Sequence, residues 1–181
     1  MPFFESLTLN TPRLVLRPLR EDDAAALFAM YSDPQFTRFW SFAPMTRLEQ
    51  VSEYLSRLLK DSTSGKTLIC ALELRSSGQM IGTCTLFNLH EPCLRAEIGF
   101  GVRREFWGHG YTQEATGALI EHAFKSLPLR RPEADIDPRN AASARVLERA
   151  GFVREGLLRE RWVVGGEASD SALYGLLRSD R

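Results

Sequence analysis

Ala96-Glu-Ile-Gly-Phe-Gly-Val-Arg-Arg-Glu-Phe-Trp-Gly-His-Gly-Tyr-Thr112 decides how this chain is read, because it runs from a strand through a glycine loop into a helix. In Ala96–Val102 a period of two puts Glu97, Gly99 and Gly101 on one face and Ile98, Phe100 and Val102 on the other. The second face is apolar enough for a core. The first is stripped of side chains beside one carboxylate, and glycine inside a strand marks a bulge or a close backbone approach. We read it as a bare strip where a thin ligand pairs with the sheet edge; packing against a helix is the competing reading. In Trp107–Thr112, Gly108 and Gly110 let backbone approach a ligand, and the helix start offers unpaired N–H groups with partial positive charge. Such a turn suits a phosphate or pyrophosphate. No Gly-Lys-Ser/Thr follows, which excludes a Walker-type loop. The third glycine of a dinucleotide fingerprint falls on Gln113, and Asp135 comes later than that fingerprint expects, which argues against NAD. A phosphate-bearing ligand of another kind remains.

Outward from this stretch, Arg13–Pro18 alternates and reads as a first strand. Helices are expected over Glu21–Tyr31 and Leu48–Lys60, where apolar residues recur at helical spacing. Between them Phe36, Phe39, Trp40 and Phe42 lie in a loop bracketed by Pro34 and Pro44, a cluster we read mainly as packing, with a role in lining an acceptor pocket as the alternative. Thr67–Leu74, Met80–Leu89 and Arg95–Val102 form an antiparallel meander joined at Ser76-Ser-Gly78 and His90-Glu-Pro92. A helix over Thr112–Ser126, a strand near Ala134–Ile136, and a helix capped by Asn140 and ended by Gly151 follow. Val153–Val164 and Ala172–Leu177 close the chain as a pair of strands. The fold class is therefore α/β of the α+β type: a mixed, mostly antiparallel sheet with helices on both faces, as one domain over 1–181.

Bulk properties narrow the function classes. Lys plus Arg and Asp plus Glu balance at 23 each, so no global field favours nucleic acid or an anionic membrane surface. No run reaches the roughly 18 apolar residues of a membrane span, and Met1–Leu9 lacks a secretory pattern. Cys70, Cys84 and Cys93 have no CxxC spacing and read as reduced thiols of a cytoplasmic protein. His90, His109 and His122 lack metal-ligand spacing, so no metal is expected.

Taken together, Thr11-Pro-Arg-Leu-Val-Leu-Arg-Pro18, Ala96-Glu-Ile-Gly99, Trp107-Gly-His-Gly-Tyr111 with Glu114-Ala115, Asn140-Ala-Ala-Ser143 and Ala150-Gly-Phe152 resemble the GNAT superfamily of acetyl-CoA-dependent acetyltransferases. They look most like the branch of ribosomal-protein N-terminal acetyltransferases. The resemblance implies that the strand through Phe100 and Val102 splays from the strand near Ala134, with pantetheine pairing to backbone at Phe100 and Val102. It implies a pyrophosphate cradled by the N–H groups of Gly108, His109, Gly110, Tyr111 and Thr112, with Asn140 flanking the thiol end. One departure is Glu105, where such loops often carry Gln or Arg; Arg103 and Arg104 are adjacent to offset it.

Direct acetyl transfer needs a neutral amine, a polarised thioester carbonyl and a proton for the leaving thiolate. Glu97 beside the bare strip is the expected general base, and the N–H near Phe100 the oxyanion donor. Many relatives protonate the thiolate with a tyrosine after the position of Asn140, and none lies between Asn140 and Gly151 here. Ser143 resembles the serine used in the nearest branch. The expected activity is acetylation of a primary amine by acetyl-CoA, with a protein N-terminus as one acceptor and a small-molecule amine as the alternative. A non-catalytic acyl-CoA-binding module on the same fold is the rival class. The expected assembly is a monomer or homodimer.

Overall fold

Two apolar clusters, one on each face of a single sheet, set the architecture in this computed structural model, which describes Phe4 and residues 7–180. The strands are β1 (Leu9–Asn10), β2 (Leu14–Pro18), β3 (Leu68–Leu74), β4 (Met80–His90), β5 (Arg95–Val102), β6 (Arg131–Ile136), β7 (Val153–Val164) and β8 (Glu167–Gly175). The helices are α1 (Ala24–Tyr31), α2 (Pro34–Thr37), α3 (Leu48–Thr63), α4 (Tyr111–Ser126) and α5 (Ala141–Arg149). Sheet order is β1-β2-β3-β4-β5-β6-β8-β7, antiparallel except for the β5–β6 pair. On one face Leu27, Met30, Tyr31, Val51 and Leu55 of α1 and α3 cover Ile69, Ala71 and Met80. On the other, Ala115, Leu119, Ile120 and Ala123 of α4 and Leu147 of α5 cover Leu14, Leu16, Leu72, Leu86, Ile98 and Ala134.

The mixed, mostly antiparallel sheet with helices on both faces is as expected from the sequence pattern, and the β3–β4–β5 meander follows from its turn residues. Three details differ. The aromatic loop contains α2, because Asp33 accepts from the Gln35 N–H (2.9 Å) with Pro34 at the first helical position. The strand before α5 begins at Arg131, ahead of the apolar pair at 134 and 136. The closing strands are not added in chain order: β8 inserts between β6 and β7, which leaves β7 at the edge.

The β2 end is fixed by a buried ion pair. Arg17 donates to both carboxylate oxygens of Asp23 (2.9 and 2.8 Å) and to Glu73 (2.6 Å). That contact holds the turn into α1 against the sheet. A buried guanidinium would otherwise be costly, so both partners are required.

Candidate active site

The site is built where two neighbouring strands stop being neighbours. β5 and β6 pair through Arg95–Arg131, Ala96–Pro132 and Glu97–Glu133 and then part, while β5 continues to Val102 and β6 to Ile136. On its other side β5 stays paired to β4 as far as Gly82–Val102. The Arg103 N–H donates to the Ile81 carbonyl (2.7 Å), which marks the next pair, Ile81–Arg103, as hydrogen-bonded. By the alternation of an antiparallel ladder, Gly101, Gly99 and Glu97 also spend their backbone groups on β4. Ile98, Phe100 and Val102 direct theirs toward the opening. Phe100 and Val102 thus lie on the free edge, although the Val102 carbonyl already accepts from the Trp107 indole (2.7 Å).

The glycine face differs from the bare strip expected. A Cβ at Gly101 would stand 2.8 Å from Phe36 and 3.3 Å from Trp40, and one at Gly99 would stand 3.2 Å from Phe87. Gly101 is therefore a packing position beneath the aromatic cluster of Tyr31, Phe36, Trp40, Phe42 and Tyr54. What stays open is the edge of the strand, not its face.

Glu97 sits at the last rung before the parting. Its Oε1 accepts from Asn88 Nδ2 (3.1 Å), and it has no ion pair among the described residues. Asn88 reaches it from an irregularity between Phe87 and His90, where Asn88 takes a left-handed φ of 49°. Across the rung, Glu133 accepts from Arg95 (2.8 Å) and Arg131 (2.6 Å). Further along β6, Asp135 accepts from Arg161 (2.8 Å) and from the buried Ser171 hydroxyl, which in turn accepts from the Trp162 indole (3.1 Å). Beyond β6, hydrogen bonds from Arg139 hold the Asp137 carboxyl below the ordinary carboxylate range. Among the described residues, Glu97 alone in this row lacks a cation.

At the far end of β5 the loop turns through Gly108 and Gly110, both at left-handed φ (78° and 77°), into α4. The first helical hydrogen bond runs from the Glu114 N–H to the Gly110 carbonyl (3.1 Å), so the amides of Tyr111, Thr112 and Gln113 have no helical acceptor. A Cβ at Gly108 would meet nothing within 4 Å among the described residues. Glu105, the departure noted above, is neutralised by Arg103 (2.5 Å), whereas Arg104 turns to Asp33 (2.9 Å). The His109 ring lies over Tyr111, its Nδ1 2.9 Å from the Trp107 carbonyl, so its backbone is what faces the turn. These features fit a pyrophosphate: free donors, positive helix end, no net carboxylate charge.

Sequence reasoning missed the brace under this loop. Glu114 accepts from Thr11 Oγ1 (2.6 Å), the Arg13 N–H (2.9 Å) and Arg13 Nε (2.7 Å), while Arg13 Nη1 donates to the His109 carbonyl (2.8 Å). Burial pushes the Glu114 carboxyl up, but these bonds outweigh it and hold it low. Asn140 caps α5 by accepting from the Ser143 N–H (3.1 Å). The hydroxyl of the half-buried Ser143 has no hydrogen-bond partner among the described residues. Among the described residues no three His, Cys, Asp or Glu side chains gather as a metal site, and no helix is long and apolar enough to cross a membrane. Cys70 and Cys84 face each other in buried register, and burial pushes the Cys70 thiol up to about 12.

Residues 13–153 match the sequence profile described as "Acetyltransferase (GNAT) domain". The chain belongs to the GNAT acetyltransferases. It is 33% identical over 173 residues to "Uncharacterized N-acetyltransferase p20" of Bacillus licheniformis, covering 96% of this chain and 97% of that protein. It is 24% identical to the "[Ribosomal protein uS5]-alanine N-acetyltransferase" of Escherichia coli, covering 95% and 91%. Among solved structures, "Mycobacterium smegmatis RimJ in complex with CoA-disulfide" superposes with a TM-score of 0.83 at 28% identity, over 92% of this chain and 83% of that one. The protein is thus an N-acetyltransferase, and the splayed strands and glycine turn of this GNAT enzyme are the features against which its chemistry is read.

Proposed function

We propose that this GNAT enzyme transfers the acetyl group of acetyl-CoA directly to a primary amine, with a protein N-terminal amine as acceptor. The observation that carries the reading is Glu97, which no cation pairs with among the described residues, at the rung where β5 and β6 part. Pyrophosphate binds the amides of Gly108, His109, Gly110, Tyr111 and Thr112. Pantetheine runs along the free edge of β5 and pairs with backbone at Phe100 and Val102, with Asn140 beside the thiol end. Glu97 takes a proton from the acceptor ammonium, directly or through water. The amine lone pair then attacks the thioester carbon while the N–H near Phe100 stabilises the oxyanion. Collapse breaks the C–S bond; the thiolate takes a proton through the Ser143 hydroxyl, which recovers one from the second proton that the amide nitrogen gives up, and Glu97 passes its proton to solvent.

A panel of N-terminal peptides and small amines, incubated with acetyl-CoA and followed by thiol release, tests the assignment. Peptide N-termini are expected to turn over with the higher kcat/KM. Preference for small polyamines or aminoglycosides would move the acceptor to the small-molecule class. Coenzyme A binding with no turnover on any amine would make the protein a non-catalytic acyl-CoA-binding module. Ser143→Ala is expected to slow turnover without changing coenzyme A affinity, and unchanged turnover removes Ser143 from the mechanism.

A further inference from the structure

Large apolar side chains left in solvent are concentrated in one strand. Of eight such residues among the described ones, five (Val153, Leu157, Leu158, Trp162 and Val163) lie in β7. β7 also ends the sheet order and pairs with β8 alone among the described residues, so its second edge is open along Val153–Val164. Its apolar residues stand on both faces. Leu157 is opposite Ala172 of the cluster under α4 and α5, and Leu158 is opposite Ser171 on the other side. A partner docked on one face would cover one of these sets; a strand laid along the open edge covers both. The charges between them are also unspent. Glu155 pairs with Arg131 and Arg161 with Asp135, whereas Arg154, Arg159 and Glu160 are exposed and form no ion pair among the described residues.

We infer that β7 is the contact strand of a homodimer, laid antiparallel to the β7 of a second copy across a two-fold axis at Leu157. The order of charges selects both partner and register. With Leu157 opposite the partner's Leu157, Arg154 stands opposite the partner's Glu160 and Glu155 opposite the partner's Arg159, and symmetry makes each contact twice. Moving the strands by one residue sets Arg154 against the partner's Arg159 in one direction and the partner's Arg161 in the other. Like charges directly opposite destabilise a strand pair, so the register at Leu157 is favoured over its neighbours. β7 departs from regular pairing with β8 between Arg154 and Gly156 and again between Leu158 and Trp162, on either side of Leu157. Irregularities of this kind stop open-ended strand addition and leave residues 156–158 as the regular segment at the axis. The other edge of β7 belongs to β8, so the contact closes at two copies.

Sedimentation velocity on the full chain at micromolar concentrations and low salt tests the inference. The wild type should sediment as a dimer. Leu157→Glu sets two carboxylates against each other on the axis and should leave the chain monomeric; Leu157 is exposed, so the variant is expected to fold. Arg154→Glu and Glu160→Arg each place like charges opposite one another twice, and each should raise the dissociation constant by about tenfold or more. Mixing these two variants in equal amounts should restore the dimer, because each chain then offers the charge that the other needs. A wild type that stays monomeric throughout, or a dimer indifferent to Leu157→Glu, overturns the inference. Dimers lost in both charge variants and not recovered on mixing overturn it as well, since the pairing about Leu157 would then be wrong.

Discussion

On β6 each carboxylate facing the glycine side of the sheet is held by arginine: Glu133 by Arg95 and Arg131, Asp135 by Arg161, and Asp137 just beyond by Arg139. On β5 the register partner of Glu133 is Glu97, and it has one amide hydrogen bond from Asn88. Two carboxylates share a rung and differ in what their neighbours leave them free to do. A carboxylate held between two guanidiniums has its oxygens occupied by them. One held by a single amide has acceptor positions left for a bound amine. The backbone does not share this contrast: beyond the rung β5 stays paired to β4 and β6 to β8, and each strand has its edge toward the opening unpaired. The difference lies in the side chains: the carboxylates of β6 are held by arginine, and that of Glu97 on β5 is held by an amide.

Exchanging each carboxylate for its amide tests this contrast most severely. Glu97→Gln is expected to reduce kcat/KM by about 10²–10⁴-fold, the range of a general base, with coenzyme A affinity retained. Glu133→Gln should instead act on stability, about 1 kcal/mol from the weakened pairs with Arg95 and Arg131, or roughly 2–4 °C in Tm. Steady-state rates over about pH 6 to pH 9 and a thermal melt of each variant are sufficient, since a base variant flattens the pH profile. A kcat/KM loss in Glu97→Gln under about threefold, with the profile intact, would assign proton removal elsewhere. A raised KM at unchanged kcat would make Glu97 an acceptor-positioning residue.

The next largest effect concerns the free amides at the α4 end. Coenzyme A at about 100 times its dissociation constant should stabilise the protein by about 2.7 kcal/mol, or roughly 5–10 °C. Gly110→Asp places a carboxylate against the phosphate site and should abolish most of that shift. Gly110→Asn is the control, because both residues tolerate left-handed φ better than other side chains. Loss in Asp with retention in Asn isolates the charge. Equal retention would remove the turn from the binding site.

Much of this was legible because it is local. The alternation in β5, the glycine turn and the apolar period of α4 lie within one stretch of chain, and the β3–β4–β5 meander follows from short turns. What was not legible depends on partners distant in sequence or on register. Asn88 reaches Glu97 only because β4 is irregular between Phe87 and His90. Thr11 and Arg13 meet Glu114 across about a hundred residues, a contact with no local pattern. β8 lies between β6 and β7, although β7 follows β6 and α5 in the chain; β7 is exposed along nearly its whole length, which its mixed pattern of Val, Leu and charged residues did not announce. The glycine face was read as bare because a sequence shows that Gly101 is small without showing that Phe36 and Trp40 fill the space above it.

That correction sharpens the comparison, since within β5 the face is spent on packing and the edge is not. Gly101→Val would drive its side chain into the Phe36 ring, and overpacking of this kind costs about 1–3 kcal/mol. The ligand-free protein should therefore melt roughly 3–10 °C lower, with coenzyme A affinity little changed in the folded fraction. Weakened coenzyme A binding at an unchanged Tm would restore the bare-strip reading of the face.

The smallest expected effect tests whether the brace beneath the turn belongs with the fixed charges of β6. Folded Glu114 titrates below its ordinary value of 4.5, since hydrogen bonds from Thr11 and Arg13 outweigh the opposing effect of burial. A depressed folded value means that the unfolded chain takes up the proton first as pH falls. The stability contributed by Glu114 is thus complete above the unfolded value and is lost as pH drops through the folded one. Arg13 is half-exposed, so the total should be at most about 1 kcal/mol. Thermal melts of wild type and Glu114→Gln between about pH 6 and pH 3 should start apart and converge toward acid, the wild type losing the greater part. Coenzyme A affinity should weaken in the wild type over the same interval, because protonated Glu114 releases the arginine that holds the His109 carbonyl. Parallel melting curves would show that Glu114 gains nothing from its charge, and the brace would then be a matter of shape alone.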